Sequence, residues 1–91
     1  MFRVKYLLKL CNVIRDEANK ILSDDTSSFR IVEIFMRLSS DDENIELVAI
    51  REDGIEIQMI KAGNFDSMYS YVTRNVMKLI NGIVDKSRQT I

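Results

Sequence analysis

The segment 44–61 constrains the fold more than any other part of the chain. Ile45, Leu47 and Ala49 alternate there with Glu46, Val48 and Ile50, and Ile55, Ile57 and Met59 alternate with Glu56, Gln58 and Ile60. A period of two puts one set of side chains on each face of a strand. Between the runs stands Glu52-Asp53-Gly54, a tight-turn signal in which Gly54 is free to take positive φ. The pattern predicts an antiparallel hairpin, with Glu56 and Gln58 turning one face of its second strand to water.

Residues 66–86 carry the clearest helical signal. Met68, Val72, Val76, Leu79 and Ile83 recur at steps of three and four, which places them on one face. Asn64 or Asp66 can cap the start, and Lys86 and Arg88 suit the negative C-terminal end. Gly82, unfavourable in a helix interior by about 1 kcal/mol against Ala, points to close packing or fraying.

Two segments read both ways. Residues 29–38 are rich in β-branched and aromatic types, as in a buried strand, although Arg30, Glu33 and Arg37 also stand at helical spacing. A strand is favoured because residues 39–44 make a natural hairpin loop into the next strand. In the N-terminal third, Ile14, Ala18, Ile21 and Leu22 form a helical face that can extend back through Cys11, Leu8, Leu7 and Val4. Yet Phe2, Val4 and Tyr6 alternate with Arg3 and Lys5, as in a strand. Residues 24–28 end this helix as a polar loop. The order is then α-β-β-β-α, or a first strand precedes a shorter helix. Either way the expectation is an α+β fold. It has an antiparallel sheet of three or four strands in a meander, two helices packed on one face and a long C-terminal helix.

At 91 residues the chain makes a single domain, 1–91. It buries roughly 60–65% of the surface its unfolded form exposes, so a partner would add stability. The absences narrow the chemistry. There is no His, and the single Cys11 lies in an apolar stretch. A Cys/His metal cluster and a Ser-His or Cys-His nucleophile pair are therefore excluded. Gly54, Gly63 and Gly82 are too far apart for a phosphate-cradling loop. The acidic run Asp41, Asp42, Glu43 with Glu46 lacks the spacing of a calcium loop and reads as a solvated hairpin loop, as does Asp24-Asp25. Glu52 and Asp53 sit at a turn tip, where water leaves neither tuned for acid/base work. The expectation is no catalysis, no cofactor and no metal. No apolar run approaches the ~20 residues needed to span a bilayer, no signal peptide is visible, and a lone cysteine suits a reducing compartment. The chain reads as cytoplasmic.

What remains is binding. The net charge is −1, from 13 basic and 14 acidic side chains, so a nucleic-acid role needs a local patch. Arg74, Lys78, Lys86 and Arg88 form a basic stripe on the last helix beside Tyr69 and Tyr71, and Arg3, Lys5, Lys9, Arg15 and Lys20 bias the N-terminal third. A solvated helix face is the commoner meaning of such a stripe. Surplus apolar surface is the stronger cue. Tyr69, Met77, Ile80 and Val84 lie off the main stripe of the last helix, and Phe2, Tyr6, Leu10 and Val13 do the same in the N-terminal segment. Apolar surface beyond one core marks a protein interface, and a meander leaves strand edges that invite pairing. The expected partner surface comprises Phe2, Tyr6, Val13, Tyr69, Met77 and Val84.

The stretch Ile45–Asp85 resembles the small dimerisation subunit of the KEOPS complex, or a divergent paralogue of it. Ile45–Ile50, the Glu52-Asp53-Gly54 turn and Ile55–Ile60 look like its hairpin. Lys61-Ala62 followed by Asp66-Ser67-Met68 looks like the start of its last helix, and Val72, Val76, Leu79, Ile83 and Val84 match apolar positions of that helix. Tyr69, Thr73-Arg74 and Met77 stand where the family tends to carry Arg, an Asn-Ser pair and a second Arg. The resemblance implies a strand, helix, hairpin and long helix. It also implies a non-catalytic role in making threonylcarbamoyladenosine in tRNA. The family member dimerises through its sheet edges and docks its helices on a larger catalytic subunit, so contact with RNA would be indirect. The α-β-β-β-α order is also that of double-stranded-RNA-binding domains, but Asn64-Phe65-Asp66 replaces the lysine cluster that opens their last helix. A small regulatory or viral protein that inhibits a partner by occupying its surface is a further reading.

Overall fold

In the computed structural model, which describes residues 2–24, 29–41 and 43–88, the N-terminal third is a single helix, α1 (Phe2–Leu22). Leu7, Cys11, Ile14, Ala18 and Leu22 recur at steps of three and four, and all are buried. That stripe outweighs the short alternation of Phe2, Val4 and Tyr6, which no breaker separates from the helix. Among the described residues there is accordingly no strand ahead of α1. Asp24 forms a turn after α1, and the rest of the proposed polar loop, residues 25–28, lies outside the described residues.

Three strands follow: β1 (Ile31–Leu38), β2 (Ile45–Arg51) and β3 (Glu56–Ala62), in the order β1-β2-β3 and antiparallel throughout. The ambiguous segment 29–38 is thus mainly a strand. The hairpin closes as expected, with Gly54 at φ 91° and its N–H donating to the Arg51 carbonyl at 2.9 Å. The alternation in β3 does not run through. Leu47 faces Ile60 while Val48 faces Gln58, so a bulge at Met59 shifts the register. Ile57 is buried, Met59, Ile60 and Ala62 pack against the core, and Ile55 stays exposed.

The long final helix is broken. It consists of α2 (Phe65–Arg74) and α3 (Val76–Arg88), with Asn75 between them at φ −131° and ψ 33°. Among the described residues there are therefore three helices where two were expected. Side-chain competition for backbone acceptors accounts for the break. The Asn75 amide donates to the Tyr71 carbonyl at 2.8 Å, the acceptor that its own backbone N–H would use in a continuous helix. That N–H goes to Val72 instead, at 3.3 Å. The Thr73 hydroxyl donates to the carbonyls of Tyr69 and Ser70 at 2.9 and 3.1 Å. Asn64 caps α2 by accepting from the Ser67 N–H at 2.8 Å. Gly82 does not mark close packing, since nothing lies within 4 Å of where its Cβ would stand.

One cluster of buried side chains joins all the elements. It holds the α1 stripe, Ile31 and Ile34 of β1, Leu47 and Ala49 of β2, Ile57 of β3, Met68 and Val72 of α2, and Leu79, Ile80, Ile83 and Val84 of α3. Alternation sends Glu46, Val48 and Ile50 of β2 to the opposite face of the sheet. Val48 is nevertheless 0% exposed and lies outside that cluster. Phe35 and Gln58 stand directly opposite it on the two neighbouring strands, and Arg37 lies close by. Its guanidinium binds Glu46 and Glu56, each at 2.8 Å. Arg37 stands opposite Glu46 in the register and Glu56 opposite Ile50, so the bridge crosses the row that holds Val48.

Candidate interaction surface

The first turns of α1 and of α2 bring aromatic rings together. Phe2 and Tyr6, one helical turn apart, stack with centroids 6.4 Å apart. Tyr6 meets Tyr69 across the two helices at 6.2 Å, and Tyr69 meets Phe65 at 6.0 Å. Arg3 lies over this group, its Cζ 4.6 Å from the Tyr69 centroid and 5.9 Å from that of Phe65. Its Nη1 also reaches the Asp66 carboxylate at 3.1 Å. Cation–π contacts of this exposed kind are worth about 0.5–1 kcal/mol each and mainly fix orientation. Phe2 is 81% exposed at the end of the row. An open depression of about 510 Å³ lies beside it, lined by Phe2, Lys5, Tyr6, Leu8, Lys9 and Asn12.

The expected interface residues thus fall into three groups. Phe2, Tyr6 and Tyr69 form one contiguous patch. Val13 is exposed farther along α1, and Met77 is 67% exposed at the start of α3. Val84 does not belong to the surface. It is 3% exposed and sits in the core with Ile80. Ile80 and Val84 stand beside Leu79 and Ile83 on α3, so the helix buries a wider face than the single stripe read from the spacing. Leu10 and Tyr69, both expected off the core, likewise pack partly against it.

The cations of the last helical segments are spread out. Lys78 and Lys86 flank an opening of about 220 Å³ between β3 and α3, lined also by Ile57, Met59, Tyr71 and Gly82. The Lys86 ammonium donates to the Gln58 carbonyl at 3.0 Å. Arg74 lines a separate depression with Ser67, Ser70, Tyr71 and Asn75. Arg88 is exposed in the last turn of α3.

Among the acidic groups of β1–β3 and their loops, Asp41, Glu46, Glu52, Asp53 and Glu56 are engaged, while the Glu33 side chain has no hydrogen bond or ion pair among the described residues. Glu43 carries no resolved partner for its side chain, and Asp42 lies outside the described residues. Asp41 accepts from the Ser39 hydroxyl and from the Glu43 N–H, and these bonds, the first foremost, hold its carboxyl below the usual range. Glu46 binds Arg37. Glu52 accepts from the Arg30 N–H at 3.1 Å. Asp53 is paired with Arg51, and contrary to the expectation for a turn tip the guanidinium lowers its pKa. A carboxylate so held is a weaker base, which argues against acid/base work at the turn. Arg51 also stacks over Phe29 at 4.6 Å and reaches the Ser87 carbonyl at 3.4 Å. Burial pushes the Cys11 thiol up to about 11. Among the described residues no group of His, Cys, Asp or Glu is placed to hold a metal ion, and no helix is long and apolar enough to cross a membrane.

Three features of this surface had no clear signal in sequence. Arg3 and Phe65 complete the aromatic patch through a contact between distant segments. Asn19 fastens the start of β1: its amide donates to the Ile31 carbonyl and its oxygen accepts from the Ile31 N–H, each at 2.8 Å. Val32 and Leu38 stand exposed on the edge strand β1. No family model matches this chain, and no curated protein or solved structure is significantly similar to it.

Proposed function

We propose that this chain is a non-catalytic, dimerising protein-interaction subunit of a larger complex, working in the cytoplasm. The observation that carries the reading is the aromatic row Phe2–Tyr6–Tyr69–Phe65 with Arg3 across it, exposed at Phe2 and Tyr6 and half-buried against the core at Tyr69 and Phe65. Aromatic residues and arginine are the types enriched in the anchoring parts of protein interfaces. Here they are held by two helices rather than by a loose loop, so little ordering entropy opposes docking. In this reading the helices lie together on one face of the sheet and present the patch to the larger subunit, while the sheet remains free for dimer contacts.

A KEOPS-type complex that makes threonylcarbamoyladenosine in tRNA is the named candidate for the larger assembly. It rests on the residues of 45–85, because the order helix-strand-hairpin found here differs from the strand-helix-hairpin of that family. Light scattering across a concentration series tests dimerisation, and a strict monomer at high concentration counts against it. Co-elution with a KEOPS catalytic subunit tests the named complex. Phe2→Ser and Tyr6→Ser are expected to abolish that co-elution while leaving the circular dichroism spectrum unchanged.

The element order favours a second reading, a small RNA-binding module using Arg74, Lys78, Lys86 and Arg88. Binding to generic double-stranded RNA that weakens steeply with salt would support it, and absence of binding at low salt removes it.

A further inference from the structure

The two edges of the sheet are not alike. β3 carries the bulge at Met59, and Lys86 occupies the Gln58 carbonyl at 3.0 Å, so that edge is bent and partly taken. The β1 edge is irregular and closed only at its start, where the register shifts between Ile31 and Glu33 and Asn19 takes both backbone groups of Ile31. Beyond the clamp, the bond from the Ser39 N–H to the Asn44 carbonyl at 2.8 Å sets the phase of the ladder. Arg37 with Glu46, Phe35 with Val48 and Glu33 with Ile50 are then the pairs that exchange bonds with β2. Ile34, Met36 and Leu38 aim their N–H and C=O groups away from the sheet. Val32 and Leu38 are 56% and 65% exposed toward the two ends of this edge. The Glu33 side chain has no hydrogen bond or ion pair among the described residues.

We propose that β1 is the seam of a homodimer, pairing antiparallel with β1 of a second copy about a two-fold axis at Phe35 to make one continuous sheet. The proposal rests on the reading that the chain dimerises, and it names the surface and the register. Symmetry restricts the choices, because each pairing across a two-fold occurs twice. Outward-aimed residues must meet outward-aimed residues, which leaves axes at Ile34, Phe35 or Met36 near the middle of the strand. An axis at Ile34 sets Glu33 against Phe35 and Arg37 against Ile31. One at Met36 sets Phe35 against Arg37 and Glu33 against Ser39. Only the axis at Phe35 places Glu33 against Arg37, at both ends, with Ile34 against Met36; Val32, at the irregularity of β1, then lies near Leu38. Charges then meet their opposites and apolar side chains meet apolar ones. Arg37 uses Nε for Glu46 and Nη2 for Glu56. A guanidinium carries five N–H groups, so donors remain for the partner's carboxylate.

The test starts from light scattering of the full chain. A strict monomer overturns the dimer reading and the seam together. Given a dimer, Phe35→Cys is expected to form a disulfide between copies under mild oxidation, because Cα atoms of such a pair are about 4.5 Å apart, within disulfide reach. Glu33→Cys is expected to form none, because its counterpart lies four residues along the strand, roughly 13 Å away. Buried Cys11 does not compete. Glu33→Arg opposes like charges at two symmetric places and is expected to weaken the dimer about tenfold or more, with the far-ultraviolet spectrum unchanged. A dimer that cross-links through Glu33→Cys and not through Phe35→Cys, or whose Kd is indifferent to Glu33→Arg, overturns the seam and leaves dimerisation standing.

Discussion

Asn19 offers the sharpest measurable consequence of the fold. It sits three residues before the end of α1 and forms two bonds of 2.8 Å to one residue of the edge strand. Intramolecular hydrogen bonds contribute roughly 0.5–1.5 kcal/mol each, so Asn19→Ala forfeits about 1–3 kcal/mol. Alanine is the better helix former by about 0.6 kcal/mol, which offsets part of the loss. The net expectation is a destabilisation of about 1–2 kcal/mol. For a domain of this size that is a fall in Tm of about 5–15 °C. Urea unfolding followed by far-ultraviolet circular dichroism checks it, with the midpoint falling and the slope unchanged. Asn19→Asp probes the same geometry differently. The substituted carboxylate still accepts from the Ile31 N–H but sets lone pairs against the Ile31 carbonyl. Protonation restores a donor, which raises the folded pKa of that carboxyl through the carbonyl contact. A raised pKa means stability recovered as pH falls, so this variant is expected to approach the wild type, compared at equal pH, below about pH 4. An Asn19→Ala midpoint within about 0.5 kcal/mol of wild type would refute the reasoning. Packing of Ile31 and Ile34 alone would then hold β1 to α1.

Val84→Ala is expected to destabilise by about 1–3 kcal/mol, and Met77→Ala by less than about 0.5 kcal/mol, although both stand on α3; thermal unfolding of the pair separates core from surface. Asp41, Asp53 and Glu56 all have lowered pKa values, held down by the Ser39 hydroxyl, the Arg51 guanidinium and the Arg37 guanidinium respectively. Lowered carboxylate values contribute stability above the ordinary carboxylate range that is lost as pH falls through it. The urea midpoint should therefore drop on acidification, and Arg37→Gln should flatten the Glu56 share of that drop. The Cys11 thiol, fully buried and pushed up to about 11, should resist alkylation in the native chain and react at the rate of an ordinary thiol in urea.

Much of the fold was legible in local patterns. The stripe Leu7, Cys11, Ile14, Ala18 and Leu22 is a helical period that needs no tertiary information, and all five residues are buried. The alternation of β2 with the Glu52-Asp53-Gly54 turn specifies the hairpin because a tight turn fixes register locally. The missing histidine excludes whole classes of catalysis whatever the fold. Other features depend on groups far apart in the chain. The break at Asn75 turns on which donor takes the Tyr71 carbonyl, and Val84 lies in the core because α3 buries a wider face than its main apolar stripe. The bulge at Met59 shifts which β3 residues face inward, and period counting cannot see an inserted residue. Arg3 meets Tyr69, and Asn19 meets Ile31, only because folding joins segments that local patterns treat separately. Sequence periodicity thus determined which elements form and which side of each is apolar. The packing of those elements decided which apolar residues are left at the surface, because burial is a property of neighbours rather than of residue type.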